Sequence, residues 1–198
     1  MTRKRVAVLI SGRGSNMTAL IEAAEAPDYP AQIVLVLSNE PNAAGLARAQ
    51  LAGIATAVVD HRPFGEDREA FERALDDELR NNRIELVCLA GFMRLLTPWF
   101  VTRWSGRMLN IHPSLLPQFK GLHTHRRALE AGAKRHGATV HFVVPEMDSG
   151  PIIAQDSVAV REGDTEETLA ARVLDLEHQI YPRALRAVAE GRADARKI

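Results

Sequence analysis

Cysteine is almost missing from this sequence. Cys88 is the only one in 198 residues, so no disulfide can form within the chain. Its neighbours from Leu86 to Ala90 are apolar and none is basic, which predicts a buried core thiol and not a reactive thiolate. Net charge is missing too. Lys plus Arg and Asp plus Glu both number 25, so there is no basic field for nucleic acid or an anionic membrane. Any phosphate site must therefore be local. Long hydrophobic runs are absent as well. The apolar run that follows Met1-Thr2-Arg3-Lys4-Arg5 ends at Ile10, too short for a signal sequence or a membrane span. Glycines follow it in place of a cleavage site, and the expected location is the cytoplasm. The chain has no Gly-Lys-Ser/Thr P-loop, no Gly-x-Ser-x-Gly nucleophile motif and no helical His-x-x-x-His. No repeat, low-complexity tract or linker divides it. With 46% hydrophobic and 25% charged residues, it reads as one ordinary globular domain spanning 1–198.

What is present alternates short β-rich runs with longer amphipathic ones. Strands are expected at Val6 to Ile10, Ile33 to Leu37, Thr56 to Val59, Glu85 to Ala90 and Met108 to Ile111. Between them lie helical patterns at Asn16 to about Ala26, Ala43 to Leu51 and about Glu66 to Asn81. A short helix runs to Trp104, with Thr97 as N-cap and Pro98 as its first residue. The continuous apolar character of the first and fourth strands suits burial on both faces of a parallel sheet. The stretch His112 to Leu122 reads as a loop, followed by a helix from about His125 to Ala133. Strands at Ala138 to Val144 and Ile152 to Val160 flank the turn-forming stretch Pro145 to Gly150. Asp164 and Glu167 form a capping box for a last helix, whose apolar stripe is Leu169, Val173, Leu176 and Ile180. Pro182 is expected to kink or restart that helix. The fold class is α/β: a single-domain, doubly wound, mostly parallel, Rossmann-like sheet with a partly antiparallel C-terminal extension.

Two places carry candidate chemistry. Ser11-Gly12-Arg13-Gly14-Ser15-Asn16 joins a strand to a helix, where backbone N–H groups and the helix dipole receive phosphate. Met17 stands where a dinucleotide fingerprint needs a third small residue, and Ser38-Asn39 ends the second strand in place of an acidic residue. A monophosphate site is preferred, and a tight turn without a ligand is the plain alternative. Asn110 and His112 lie two residues apart at the end of the fifth strand, on the same side of the chain and at the ligand-binding edge of such sheets. An amide and an imidazole so placed can both reach one carbonyl oxygen and stabilise a tetrahedral oxyanion. Asp148 can pair with His112, and a carboxylate beside an imidazole favours the charged ring. Aspartate is also common in turns for local reasons. His123 and His125 form a His-x-His pair expected to pack near the site mouth, without a metal. His61, His136, His141 and His178 show no partner pattern and read as surface histidines or as core histidines with their hydrogen bonds satisfied.

These residues also carry a resemblance. Ile10 to Asn16, Leu89 to Leu96, Leu109 to Pro117, Lys120 to His125 and Asp148 to Ile153 resemble the phosphoribosylglycinamide formyltransferases, the folate-dependent transformylases of purine synthesis. The resemblance runs from about Val6 to Pro182. Asn-Ile-His-Pro-Ser-Leu-Leu-Pro with a later Asp-x-Gly-Pro is shared by the wider group of formyltetrahydrofolate users. The glycine loop and Gly-Leu-His-Thr-His belong to the glycinamide branch, although Arg13 replaces a frequent asparagine. The resemblance implies that Gly14, Ser15 and Asn16 hold the substrate phosphate and that Glu177 contacts the glycinamide substrate. It implies folate contacts from Arg68, Met93, Arg94, Leu95, Leu96 and Asn110, and a catalytic set of Asn110, His112 and Asp148. It implies direct formyl transfer from 10-formyltetrahydrofolate as co-substrate, with no tightly bound cofactor, metal or nucleotide. The implied partners are these small molecules, without nucleic acid or membrane, and a homodimer is compatible with the sequence.

Three other readings compete. A formyltetrahydrofolate hydrolase shares the Asn, His and Asp but usually carries an N-terminal regulatory domain, and here the first strand is expected at Val6. A methionyl-tRNA formyltransferase needs an RNA-binding domain and a basic surface. A non-catalytic nucleotide-binding module explains the glycine loop and leaves Asn110-x-His112 and Asp148 unexplained.

Overall fold

Alternation along the first strand decides the architecture. In β1 (Lys4–Ile10), Val6, Val8 and Ile10 point to one face and Ala7 and Leu9 to the other, and all five are fully buried. A strand apolar on both faces needs a layer on each side, and the chain supplies them. The computed structural model describes residues 2–195. β1 is followed by α1 (Ser15–Ala24), β2 (Ala31–Ser38), α2 (Ala44–Leu51), β3 (Ala55–Val58), α3 (Arg68–Asn81), β4 (Leu86–Leu89), α4 (Pro98–Arg103) and β5 (Met108–His112). Then come α5 (Thr124–Glu130), β6 (Arg135–Phe142), β7 (Ile152–Ala159) and α6 (Glu166–Ala189). The strands form one seven-stranded sheet in the order β3-β2-β1-β4-β5-β6-β7. β3, β2, β1, β4 and β5 pair in parallel, whereas β5–β6 and β6–β7 are antiparallel. The expected sheet with an antiparallel C-terminal extension is what is found.

One apolar layer joins Val6, Val8 and Ile10 to Met17 and Leu20 of α1 and to Leu169, Val173 and Ile180 of α6. The other joins Ala7 and Leu9 to Phe71, Leu75 and Leu79 of α3 and to Phe100 of α4. Tyr181 crosses the first layer fully buried, its hydroxyl shared between the carbonyls of Leu89 (3.0 Å) and Leu109 (3.2 Å). Cys88 lies in the same layer, and burial pushes its thiol pKa up to about 12, which makes it inert. No helix among the described residues is long and apolar enough to cross a membrane.

Several expectations need correction. The last helix is capped by Thr165 and Thr168, not by Asp164 and Glu167: the Thr165 hydroxyl accepts the Thr168 N–H and the Thr168 hydroxyl accepts the Thr165 N–H. Asp164 lies just outside and holds Arg172 instead. Pro182 does not restart the helix, since α6 runs unbroken from Glu166 to Ala189 with Pro182 inside it. β6 begins at Arg135, three residues before the expected start, because Arg135 and Gly137 pair with Ala159 and Ser157 of β7. Thr97 stands at the N-cap of α4 but makes no capping bond with its side chain.

The sheet order changes direction at β1, with β2 on one side and β4 on the other. The loops leaving β1, β4 and β5 therefore meet at the carboxyl edge, where open α/β sheets bind ligands.

Candidate active site

The glycine loop emerges from β1. Gly14 sits at the N-cap of α1 in the left-handed region (φ 71°), a conformation that costs glycine little. A second glycine explains how tightly the loop is packed. Gly45 of α2 donates its N–H to Gly12 O at 3.0 Å, and a Cβ on Gly14 would lie 3.1 Å from the Gly45 Cα. A Cβ on Gly45 would in turn lie 2.5 Å from Ile10 Cδ1. This packing fixes the first turn of α1, whose N–H groups have no helical partner. The Asn16 side chain turns inward: its Nδ2 donates to Glu177 Oε2 at 2.6 Å, and both residues are more than nine-tenths buried. The two substrate-side candidates, 161 residues apart, thus touch. Burial raises the Glu177 pKa to about 7, against the opposing pull of the Asn16 hydrogen bond.

The segment after β4 lies next to this loop. Ser11 N–H donates to Gly91 O at 3.1 Å, and the Ser11 hydroxyl accepts the Met93 N–H at 2.8 Å. The same hydroxyl donates to Asn39 Oδ1 at 2.5 Å. At the other end, Arg68 Nη2 donates to Leu95 O at 2.5 Å. Met93 and Leu95 are 69% and 68% exposed, and Leu122 and Met147 are exposed on two other loops. Exposed apolar side chains such as Met93 and Leu95, beside polar backbone groups, suit a ring-bearing ligand.

The polar group stands on the other side of β4 from the glycine loop, on the neighbouring strand β5. Asn110 and His112 lie on β5, and Asp148 lies in the turn between β6 and β7 at φ 50°. His112 Nδ1 is 3.5 Å from Asp148 Oδ2, an ion-pair distance. Its Nε2 faces Phe119 O at 3.0 Å, so both ring nitrogens of His112 meet oxygen acceptors. Asp148 Oδ2 also accepts the Gly121 N–H at 2.8 Å, which ties the loop Pro113 to Leu122 to the turn. His141, the cross-strand partner of Asn110, completes the set. Its Nδ1 donates to Phe142 O at 2.9 Å, which leaves Nε2 to accept from Asn110 Nδ2 at 3.3 Å. That Nε2 is also 3.8 Å from Asp148 Oδ1. Burial lowers the His141 pKa, in keeping with a neutral ring.

The sequence pattern of the formyl transferase family runs from residue 4 to residue 185 of this chain. The chain belongs to the formyl transferase family. Among its relatives, the phosphoribosylglycinamide formyltransferase of Escherichia coli (strain K12) is 49% identical over 187 residues, covering 94% of this chain and 88% of its own. The trifunctional purine biosynthetic protein adenosine-3 of Gallus gallus is 52% identical over 187 residues, but the chain spans only 18% of that protein's length. Among solved structures, phosphoribosylglycinamide formyltransferase from Brucella melitensis is 55% identical with a TM-score of 0.91, covering 95% of this chain and 96% of its own. Glycinamide ribonucleotide transformylase 1 from Symbiobacterium toebii has a TM-score of 0.93 at 46% identity, covering 96% and 89%.

In this chain His123 is exposed at φ 56°, and His125 packs its ring 5.1 Å from that of His136. Among the described residues no three His, Cys, Asp or Glu side chains are grouped to hold a metal ion. His141, Ser11 and Gly45 lie outside the sequence-derived set. Strand alternation would have put His141 on one face of β6, but only the register of β6 against β5 puts it beside Asn110. The approach of Gly45 to Gly14 is likewise tertiary.

Proposed function

We propose that this formyltransferase moves the formyl group of 10-formyltetrahydrofolate onto the amine of 5-phosphoribosyl-glycinamide, in purine synthesis and in the cytoplasm, working as a single domain. The observation that carries the reading is the Asn110–His141–Asp148–His112 group at the carboxyl edge of β5, beside β4, whose following segment is tied to the glycine loop after β1. In this reading Gly14, Ser15 and Asn16 hold the substrate phosphate through backbone N–H groups at the helix start. Glu177, held by the Asn16 side chain, contacts the glycinamide part of the substrate. Arg68 and Met93 to Leu96 face the folate.

The amine attacks the formyl carbon, and negative charge builds on the formyl oxygen. The Asn110 amide has two N–H groups. One is spent on His141 Nε2, which aims the other at the oxyanion. Protonated His112 exchanges its bond to Phe119 O for one to the same oxygen, while Asp148 balances the ring's charge. Collapse of the tetrahedral intermediate breaks the bond to N10 of the folate. The proton lost by the amine is then passed to that nitrogen, so no net acid or base is consumed within the site. Holding both reactants in one crevice supplies the remainder of the rate.

The test is a formyl-transfer assay with and without glycinamide ribonucleotide. Formylated product should form only with the ribonucleotide present. Equal loss of formyl groups without it would make the protein a hydrolase.

A further inference from the structure

α3 carries two acidic side chains that formyl transfer does not use and that are nonetheless buried: Glu72 is 1% exposed and Asp76 is 3% exposed. Buried carboxylates need partners, and both find them on one neighbouring stretch of chain. Glu72 Oε1 accepts the Thr97 N–H at 2.6 Å, and its Oε2 accepts the Thr97 hydroxyl. Asp76 accepts Trp104 Nε1–H at 3.0 Å and Arg103 Nε–H at 2.6 Å. Arg68, Glu72 and Asp76 follow one another at helical i, i+4 spacing and so share a face of α3. In that order they grip Leu95, Thr97 and then Arg103 with Trp104.

The middle contact explains why Thr97 does not cap α4, since its hydroxyl donates to Glu72 instead. It also falls directly after Met93 to Leu96. The opposite end of that segment is held by Ser11 through the Met93 N–H. Met93 and Leu95, exposed between these points, gain little fixation from packing of their own. We propose that Glu72 is a positioning residue for the folate: it fixes the downstream end of the Met93–Leu96 segment and so presents one backbone conformation to the co-substrate. Ordering the segment before binding spares the folate that cost. This inference rests on the reading of Met93 to Leu96 as the folate side.

Glu72→Leu keeps the bulk and removes both acceptors, leaving the Thr97 N–H unpaired. It should raise KM for 10-formyltetrahydrofolate about tenfold, with kcat and the ribonucleotide KM within about twofold. Glu72→Gln can still accept the Thr97 N–H and donate to the hydroxyl, and should stay within about threefold of the parent for the folate. Thr97→Val, which leaves α3 untouched, should raise the folate KM alone by about threefold, and it carries the test by itself if the leucine variant does not fold. An unchanged folate KM in the valine variant, or both KM values rising together, overturns the proposal. Calorimetric Kd values for tetrahydrofolate read the same contact without turnover. Failure of formyl transfer to the ribonucleotide in the parent protein would sink the functional reading instead, and the two failures are therefore distinguishable.

Discussion

Asp148 and His141 of the proposed active site each make two contacts at once, and substitutions can separate them. Asp148 Oδ2 accepts the Gly121 N–H while it faces His112 Nδ1. Asp148→Asn keeps an oxygen for Gly121 and removes only the charge beside His112. The expected result is a kcat lower by about a hundredfold to a thousandfold, the usual effect of losing one placed stabiliser, with ribonucleotide binding retained. Near-normal kcat would reduce Asp148 to a turn residue. In the proposed mechanism His141 touches the reaction only through Asn110. Its neutral ring donates through Nδ1 to Phe142 O and accepts through Nε2, so it fixes which way the amide points. His141→Phe keeps a ring of similar size without the acceptor. It should lower kcat about tenfold, the value of one neutral hydrogen bond, and leave both KM values close to the parent. A rise in KM without loss of kcat would place His141 in binding instead.

At the scale of elements, the glycine loop is a packing junction as well as the proposed phosphate cradle. Gly14→Val is strained twice: φ 71° is unfavourable for a branched side chain, and the new Cβ meets Gly45 Cα at 3.1 Å. Steady-state kinetics should show the ribonucleotide KM rising at least tenfold, a loss of about 1.4 kcal/mol, with the folate KM little changed. A change confined to the folate would reverse the two half-sites. The elements themselves were largely legible. β1, β2, β4 and β5 are short apolar runs between turn formers, and that signal is local. Asn110 and His112 were legible for the same reason, because alternation alone places them together at a strand end. The misread features depend on context. Asp164-x-x-Glu167 and Thr165-x-x-Thr168 both resemble caps, and the sequence does not say which phase the helix takes. Arg135 and Gly137 lack the alternation of a half-buried strand, yet β7 pairs with them. The partners His141, Glu72 and Gly45 were not legible because each is chosen by register or by helix packing.

Across the whole molecule, formal neutrality conceals buried groups whose protonation opposes one another. His136 is fully buried, and neither ring nitrogen makes a well-formed hydrogen bond. Burial lowers its pKa from 6.5 to about 4, and burial lowers those of His125 and His141 as well. Below pH 6.5 the unfolded chain binds protons at these rings that the folded chain refuses. Stability from them is therefore complete above pH 6.5 and is lost as pH falls toward 4. Glu177 has the opposite sign. Its pKa is raised from 4.5 to about 7, so its contribution is complete below pH 4.5 and is lost as pH rises through 7. The two windows overlap, and the parent protein should show a shallower acid limb than its histidines alone would give. Urea denaturation between pH 4 and 8 can separate the terms. His136→Asn should remove a rise on the order of 3 kcal/mol between pH 4 and 6.5. Glu177→Gln should make stability climb more steeply with pH between 4.5 and 7, and should leave the protein relatively more stable at pH 8. If the two variants shifted the slope in the same direction, or if neither changed it, the buried histidine and carboxyl would not be titrating inside the folded protein as their surroundings require.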